Sequence, residues 1–180
     1  MNSMLTPGHP ALRLLQLRKQ FILDVFLKVL PAFILVFLFF QRFTFVFSLN
    51  GYGCVEYVFG VLDKSDRSPV VGNLYAFSAP DLRPFFKLGT KMFKYNVAVP
   101  GDKVVITEDQ KIFVNDKQLE QFGLPYAYTH FSKSPKDFSG KKILGSDEYW
   151  FLGTRFDSFD SRYWGSVSKD KVLGRVYPIF

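Results

Sequence analysis

The sequence predicts a mainly β domain that follows one N-terminal transmembrane helix. Two observations carry this prediction. A long apolar stretch ends at residue 47, and short strand-like runs separated by turns fill the chain after residue 50. Short strands with Gly, Pro and Asp between them are typical of mainly β domains. The chain has 180 residues, which is enough for one domain of ordinary size and an appendage.

The N-terminal part has the composition of a membrane anchor. Residues 1–20 carry basic side chains and no acidic ones, and residues 21–47 form the apolar stretch. About twenty apolar residues cross a hydrocarbon core of about 30 Å. A cleavable signal peptide is disfavoured because the stretch is too long and no small-x-small site follows it. A buried core helix stays open as the alternative. The basic N-terminus predicts a cytoplasmic location for residues 1–20.

The strand-like segments are rich in β-branched and aromatic residues. They are Val55 to Leu62, Asn73 to Ala79, Lys91 to Val99, Val104 to Thr107, Ile112 to Val114, Tyr149 to Leu152 and Val172 to Tyr177. The fourth and fifth are predicted to form a hairpin, and the turn Pro100-Gly101-Asp102 precedes it. Residues 118–146 are polar with few strand signals, so they are interpreted as an insertion in a domain of residues 50–180.

Composition disfavours several kinds of site. The net charge of +7 would suit nucleic acid or anionic lipid, but the basic residues are scattered. Cys54 is the only cysteine, which excludes an internal disulfide and a multi-cysteine metal site. His9 and His130 lie in different regions, so a histidine-based metal site is not expected.

The segment Gly153 to Gly165 concentrates polar side chains between aromatic ones. Ser158, Asp160, Ser161 and Arg162 fall within five residues. One interpretation is a surface turn with a weak local ion pair. The other is a loop whose polar groups hold each other or a catalytic residue.

Lys94 is the candidate base. With no credible Ser-His-Asp triad, a hydroxyl or thiol nucleophile with a lysine base remains. A lysine serves as a base only when burial lowers its pKa from about 10.4 towards neutrality. Lys94 lies among apolar residues on a predicted strand. A solvent-facing lysine on a half-exposed strand stays open as the alternative.

Two ordered blocks resemble the type I signal peptidase family. Lys94-Tyr-Asn-Val-Ala-Val-Pro-Gly-Asp102 resembles the block that begins at the general-base lysine. Ser158-Phe-Asp-Ser-Arg-Tyr-Trp-Gly165 resembles the later Ser-x-Asp-Ser-Arg-Tyr-Trp-Gly block. Val172 to Val176 resembles the closing segment of the family. Gly72 to Phe86 is similar to the TraF-like branch, which contains maturation peptidases of conjugative transfer systems.

The resemblance implies a role for each matched residue. Lys94 matches the general base, and Ser158 matches the hydroxyl that orients it. Asp160 and Arg162 match a structural ion pair that supports the site. Gly153 would line the site, where a side chain would obstruct the substrate.

The nucleophile is where this chain departs from the family. Neither Ser-Met-x-Pro nor Ser-Leu-Pro occurs after the anchor. Counting back from Val58 to Asp63 places Cys54 at the nucleophile position, with Glu56 where the family has proline. A thiol beside a lysine is a reasonable nucleophile. Ser48 and Ser65 remain alternative nucleophiles, and an inactive relative remains an alternative to all three.

The function implied by the resemblance is a membrane-bound endopeptidase. It would remove leader peptides from exported precursors, such as a pilin or another conjugative transfer protein, without a cofactor. It would span the bacterial inner membrane once, with a cytoplasmic N-terminus and a periplasmic catalytic domain. Its expected partners are the precursor, membrane lipid and other transfer proteins, while nucleic acid is disfavoured. A non-catalytic assembly factor and a membrane-tethered DNA- or lipid-binding module stay open as rivals.

Overall fold

The computed structural model describes residues 10–47, 55, 59–120 and 123–179. The chain divides into two compact units at the junction between Arg42 and Phe43. The first unit is the N-terminal helix, and the second is the β domain.

Helix α1 (Pro10–Arg42) contains most of the predicted anchor. Its part from Leu14 to Arg42 is long and apolar enough to cross a membrane by length and composition. The prediction that residues 43–47 continue the anchor is wrong, because they form strand β1 (Phe43–Phe47). Their sequence alternates phenylalanine with threonine and valine, which favours a strand. Pairing with a neighbouring strand supplies the backbone hydrogen bonds.

The β domain contains eleven described strands and two short helices. The remaining strands are β2 (Phe59–Asp63), β3 (Leu74–Ser78), β4 (Lys91–Ala98), β5 (Lys103–Ile106), β6 (Ile112–Val114), β7 (Lys117–Gln118), β8 (Gly140–Ile143), β9 (Glu148–Leu152), β10 (Val167–Ser168) and β11 (Val172–Pro178). The helices are α2 (Tyr126–Phe131) and α3 (Ser161–Trp164), and 3-10 turns occupy Pro135–Phe138 and Lys169–Lys171.

The strands form two antiparallel sheets. The larger sheet has the order β1-β2-β11-β3-β4-β9-β10, and the smaller one has the order β7-β6-β5-β8. The predicted mainly β fold behind one apolar helix is therefore confirmed. The predicted hairpin is also confirmed, since β5 and β6 pair with Val105 opposite Phe113.

The region predicted as an insertion contains more regular structure than its sequence indicates. Within residues 118–146 lie α2, a 3-10 turn and β8. All four residues of β8 are exposed, so the strand lacks the alternation of apolar and polar residues by which strands are recognised. Its pairing with β5 determines its structure instead.

Strand β4 presents one buried face to the centre of the domain. Met92, Lys94, Asn96 and Ala98 alternate along it and are all buried. Lys94 lies directly opposite Tyr75 of β3 in the strand register. The buried face of β4 therefore includes one lysine.

Candidate active site

Lys94 is buried, and its hydrogen-bond partner among the described residues is a hydroxyl. Its side chain is 2% exposed, so the alternative of a solvent-facing lysine is wrong. Its Nζ atom donates a hydrogen bond of 2.9 Å to Oγ of Ser158, which is fully buried. In the part of the chain that the structure describes, no carboxylate forms an ion pair with Lys94. The amine and the hydroxyl are therefore bonded to each other, and both are shielded from solvent.

The sheet brings these two residues together. Strand β4 carries Lys94 and pairs with β9, with Tyr95 opposite Leu152. The segment after β9 then leads through Gly153 to Ser158. The backbone N–H of Ser158 donates to the carbonyl of Arg155 at 3.1 Å, which closes a turn just before the site.

Asp160 and Arg162 form a buried, two-pronged ion pair. Nε of Arg162 donates to Oδ1 of Asp160 at 2.7 Å, and Nη2 donates to Oδ2 at 2.9 Å. Both side chains have an exposed fraction of 0%. For residues 158–162, the interpretation as a surface turn is therefore wrong. Two parallel N–H donors on one carboxylate fix the relative orientation of the two side chains and also strengthen their interaction.

Arg162 also fixes the backbone around Ser158. Its guanidinium donates to the carbonyl of Ser158 at 2.7 Å, that of Phe156 at 3.1 Å and that of Gly123 at 2.9 Å. With the two bonds to Asp160, all five N–H donors of the side chain have acceptors. Arg162 thus determines the path of the segment that presents Ser158.

Asp160 and Ser161 attach the same segment to strand β9. Asp160 caps α3 by accepting from the backbone N–H of Arg162 at 3.2 Å, and it also accepts from that of Gly153 at 3.1 Å. Oγ of Ser161 accepts from the backbone N–H of Phe151 at 3.1 Å. Gly153 is therefore a buried part of this network, while its lining of a substrate path remains a prediction.

The predicted nucleophile lies outside the described residues. Cys54, its alternative Ser48 and Glu56 all belong to segments whose structure is not described. Ser65 is described, and its hydroxyl donates to Oδ1 of Asp63 at 2.6 Å. That bond places Ser65 in a turn with Asp63 and gives no support to its role as a nucleophile.

An aromatic group beside Ser158 was not predicted from the sequence. Among the described residues, six rings lie with their centroids 5.0–6.0 Å from that of Phe159, namely those of Phe85, Phe86, Tyr126, Phe131, Tyr163 and Trp164. The chain has 22 phenylalanines. They gave no signal for which rings meet, because most of these residues are far from Phe159 in sequence.

A small cavity opens beside this group. It has a volume of about 190 Å³ and is lined by Phe85, Phe86, Tyr126, His130 and Phe159. Burial raises the pKa of the Tyr163 phenol, which accepts from the backbone N–H of Tyr126 at 3.1 Å. Across residues 10–47, 55, 59–120 and 123–179, no three His, Cys, Asp or Glu side chains are grouped so as to hold a metal ion.

Comparison with known proteins gives a family match over most of the chain. A family model described as "Signal peptidase, peptidase S26" matches residues 18–180. A "Probable signal peptidase I-2" from Synechocystis sp. is 30% identical over 117 residues, which cover 63% of this chain and 49% of the relative. A "Signal peptidase I" from Leptolyngbya laminosa is 28% identical over 91 residues, which cover 49% of this chain and 40% of the relative.

The chain spans about half the length, or less, of these curated relatives. A crystal structure of a signal peptidase I from Enterococcus faecalis V583 is similar at 21% sequence identity and a TM-score of 0.40. The match covers 62% of this chain and 99% of that one. A likeness at this score adds nothing to the family match.

Proposed function

The chain belongs to the signal peptidase family, peptidase S26, and we propose that it is an endopeptidase that removes leader peptides from exported precursor proteins. The observation that carries this proposal is the buried hydrogen bond between Lys94 and Ser158. A lysine base needs an environment away from water and a fixed orientation. Lys94 has both, and its position matches the general base that the resemblance implies.

In the proposed reaction, Lys94 is the general base. Lys94 removes the proton from the nucleophile, and the nucleophile attacks the carbonyl carbon of the scissile peptide bond. The tetrahedral intermediate collapses to an acyl-enzyme, and the leaving amine takes up the proton. Water, activated by the same amine, then attacks the acyl-enzyme and releases the free carboxylate. If an amine of the enzyme-bound acyl fragment itself attacked in place of water, the nucleophile would leave and that fragment would be released as a cyclic peptide. Ser158 orients the lysine through both steps.

Cys54 is the proposed nucleophile, with Ser48 as the alternative. The count back from Val58 to Asp63 and the resemblance to the family support Cys54. Free thiols have a pKa of about 8.5, lower than that of a hydroxyl, so a nearby amine readily yields a thiolate. The backbone N–H of Cys54 would contribute to the oxyanion hole. If Cys54→Ser cleaves the precursor and Cys54→Ala does not, the nucleophile lies at position 54. If Cys54→Ala is fully active, Cys54 is not the nucleophile and Ser48 becomes the candidate.

The proposed substrate is a pilin or another conjugative transfer protein. Gly72 to Phe86, which resembles the TraF-like branch, supports this choice. The proposed location is the bacterial inner membrane, with a cytoplasmic N-terminus and a periplasmic catalytic domain. The length and composition of α1 support a membrane anchor. A periplasmic domain would be digested by protease added to spheroplasts, whereas a cytoplasmic domain would be protected.

Incubation of the purified full-length protein with a precursor tests the activity itself. The probe is an exported precursor with an Ala-x-Ala site at the end of its leader. The expected result is a single cleavage after that site, located by mass spectrometry of both fragments. An assembly factor without catalytic activity would leave the precursor intact. Cleavage at many unrelated sites would also contradict the proposal.

A further inference from the structure

The segment Gly123–Phe131, which lies in the region predicted as an insertion, is fastened to the residues around Ser158 at three points. The carbonyl of Gly123 accepts from Nη1 of Arg162 at 2.9 Å. The backbone N–H of Tyr126 donates to the hydroxyl of Tyr163 at 3.1 Å. At the end of α2, the ring of Phe131 lies 5.7 Å from that of Phe159, with an angle of 8° between the planes.

Phe131 completes a group of three nearly parallel rings. Its ring lies 5.6 Å from that of Tyr163 at 11°, and the rings of Phe159 and Tyr163 are 5.4 Å apart at 15°. Phe159 is only 7% exposed. Since stacked aromatic rings have preferred geometries, this group restricts where the ring of Phe159 can lie.

Ser158 is held mainly by residues on its C-terminal side. The four residues before it, 154–157, are exposed, whereas Ser158, Phe159 and Asp160 are buried. Arg162 holds the carbonyl of Ser158, and the aromatic group holds the next side chain. These contacts therefore determine the position of Oγ relative to the amine of Lys94.

We propose that Phe131 is a positioning residue, which acts through Phe159 to keep the hydroxyl of Ser158 in hydrogen-bonding distance of Lys94. The part of the proposal that concerns catalysis rests on the proposed function. The part that concerns geometry does not. The family block does not specify the residue between Ser158 and Asp160; here it is Phe159, whose ring stacks on that of Phe131. Its catalytic effect should be large, because a misplacement of about 1 Å can reduce a rate about 100-fold.

Hydrogen exchange tests the geometric part without any substrate. The full-length protein in detergent is compared with Phe131→Ala, with Phe131→Tyr, which keeps the ring, and with Phe113→Ala. Phe113 is a half-buried phenylalanine of β6 and serves as the matched control for loss of an aromatic ring. We expect faster exchange of backbone amides in residues 155–162 for Phe131→Ala alone. Unchanged exchange in that variant would overturn the proposal. If Phe131→Ala does not fold, Phe131→Leu removes the stacked ring while keeping apolar volume and is measured in its place.

Kinetics with the Ala-x-Ala precursor test the catalytic part. Phe131→Ala should lower kcat about 10- to 100-fold with little change in KM, and Phe131→Tyr should restore it. The double variant Phe131→Ala/Ser158→Ala should be no slower than Ser158→Ala, because Phe131 acts through that hydroxyl. A further loss in the double variant would show that Phe131 acts elsewhere. If the parent protein cleaves no precursor, the proposed function fails, and hydrogen exchange alone decides whether Phe131 positions Ser158.

Discussion

Lys94 and Ser158 are 64 residues apart in the chain, yet the amine of one donates a 2.9 Å hydrogen bond to the hydroxyl of the other inside the β domain. The antiparallel pairing of β4 with β9 brings them together. The ion pair of Asp160 and Arg162 then holds the segment that carries Ser158 in place. The amine of Lys94 is the proposed reacting group, the hydroxyl of Ser158 orients it, and the ion pair supports the hydroxyl. Mutation of each is therefore expected to have a different effect.

Ser158→Ala should lower the rate of precursor cleavage by about 10- to 100-fold. The variant removes the only hydroxyl that the described residues offer to the amine of Lys94. It should also destabilise the protein by about 1–3 kcal/mol, because a buried donor loses its partner. Steady-state kinetics and thermal unfolding in detergent measure the two effects.

Ser161→Ala is the matched control for Ser158→Ala. It removes one hydrogen bond from the same segment, to the backbone N–H of Phe151, without touching Lys94. A stability loss of about 1–3 kcal/mol is expected here too, because the buried N–H of Phe151 loses its acceptor, with a smaller loss of activity. Equal losses of activity in both serine variants would contradict a specific role for Ser158.

Arg162→Ala should destabilise the domain strongly. The substitution leaves the carboxylate of Asp160 buried without its partner, which typically costs about 3–5 kcal/mol. Three backbone carbonyls also lose a donor. Denaturant unfolding of the full-length protein in detergent measures the change in free energy.

Arg155→Ala provides the comparison for Arg162→Ala. Arg155 pairs with Asp157 at 2.9 Å, but the two side chains are 44% and 47% exposed. Pairs of this kind contribute about 0–1 kcal/mol, so this variant should unfold almost like the parent. Equal losses of stability in Arg155→Ala and Arg162→Ala would contradict the expectation that the buried ion pair contributes more than the exposed one.

Glu148 should make stability fall at acidic pH. The hydrogen bond from Lys142, with further bonds from Ser166 and the backbone N–H of Gly145, lowers the pKa of its carboxyl from 4.5 to about 2. Since the folded pKa lies below the unfolded one, the stabilisation is complete above about pH 4.5 and is lost as pH falls towards 2. The side chain is 32% exposed, so solvent screening limits its contribution to about 1 kcal/mol.

Glu148→Gln tests this pH dependence. The variant should unfold at lower temperature than the parent at pH 7, and the difference should shrink as pH falls from 4.5 to about 2. Thermal unfolding at several pH values measures it. A difference between parent and variant that grows towards the acidic end would have the wrong sign and would exclude this account of Glu148.

Local patterns predicted those parts of the fold in which a strand has one buried face. Strand β4 alternates clearly, and the hairpin of β5 and β6 has a turn between two apolar runs. Strand β8 was missed because its exposed lysines and glycine show no such pattern. Strand β1 was assigned to the anchor because a short, mostly apolar run after a helix looks the same in either structure.

Composition alone could not decide what Lys94 and Ser158 do. It was equally compatible with a solvent-facing Lys94 and with a surface turn that contains Ser158. The family blocks predicted their pairing, and the structure has the bond. The contact of Phe131 with Phe159 had no sequence signal. It joins a family block to a region outside those blocks, and only the folded chain brings the rings together.

The most direct test of the account compares Lys94→Ala with Lys91→Ala. Lys91 lies on the same strand but is exposed, so it controls for loss of a lysine from β4. The full-length variants are purified in detergent and assayed on the Ala-x-Ala precursor. Loss of a general base should slow cleavage by Lys94→Ala about 10²- to 10⁴-fold, while Lys91→Ala should cleave like the parent. Cleavage by Lys94→Ala at the parent's rate would contradict the assignment of Lys94 as the base and, with it, the proposed mechanism.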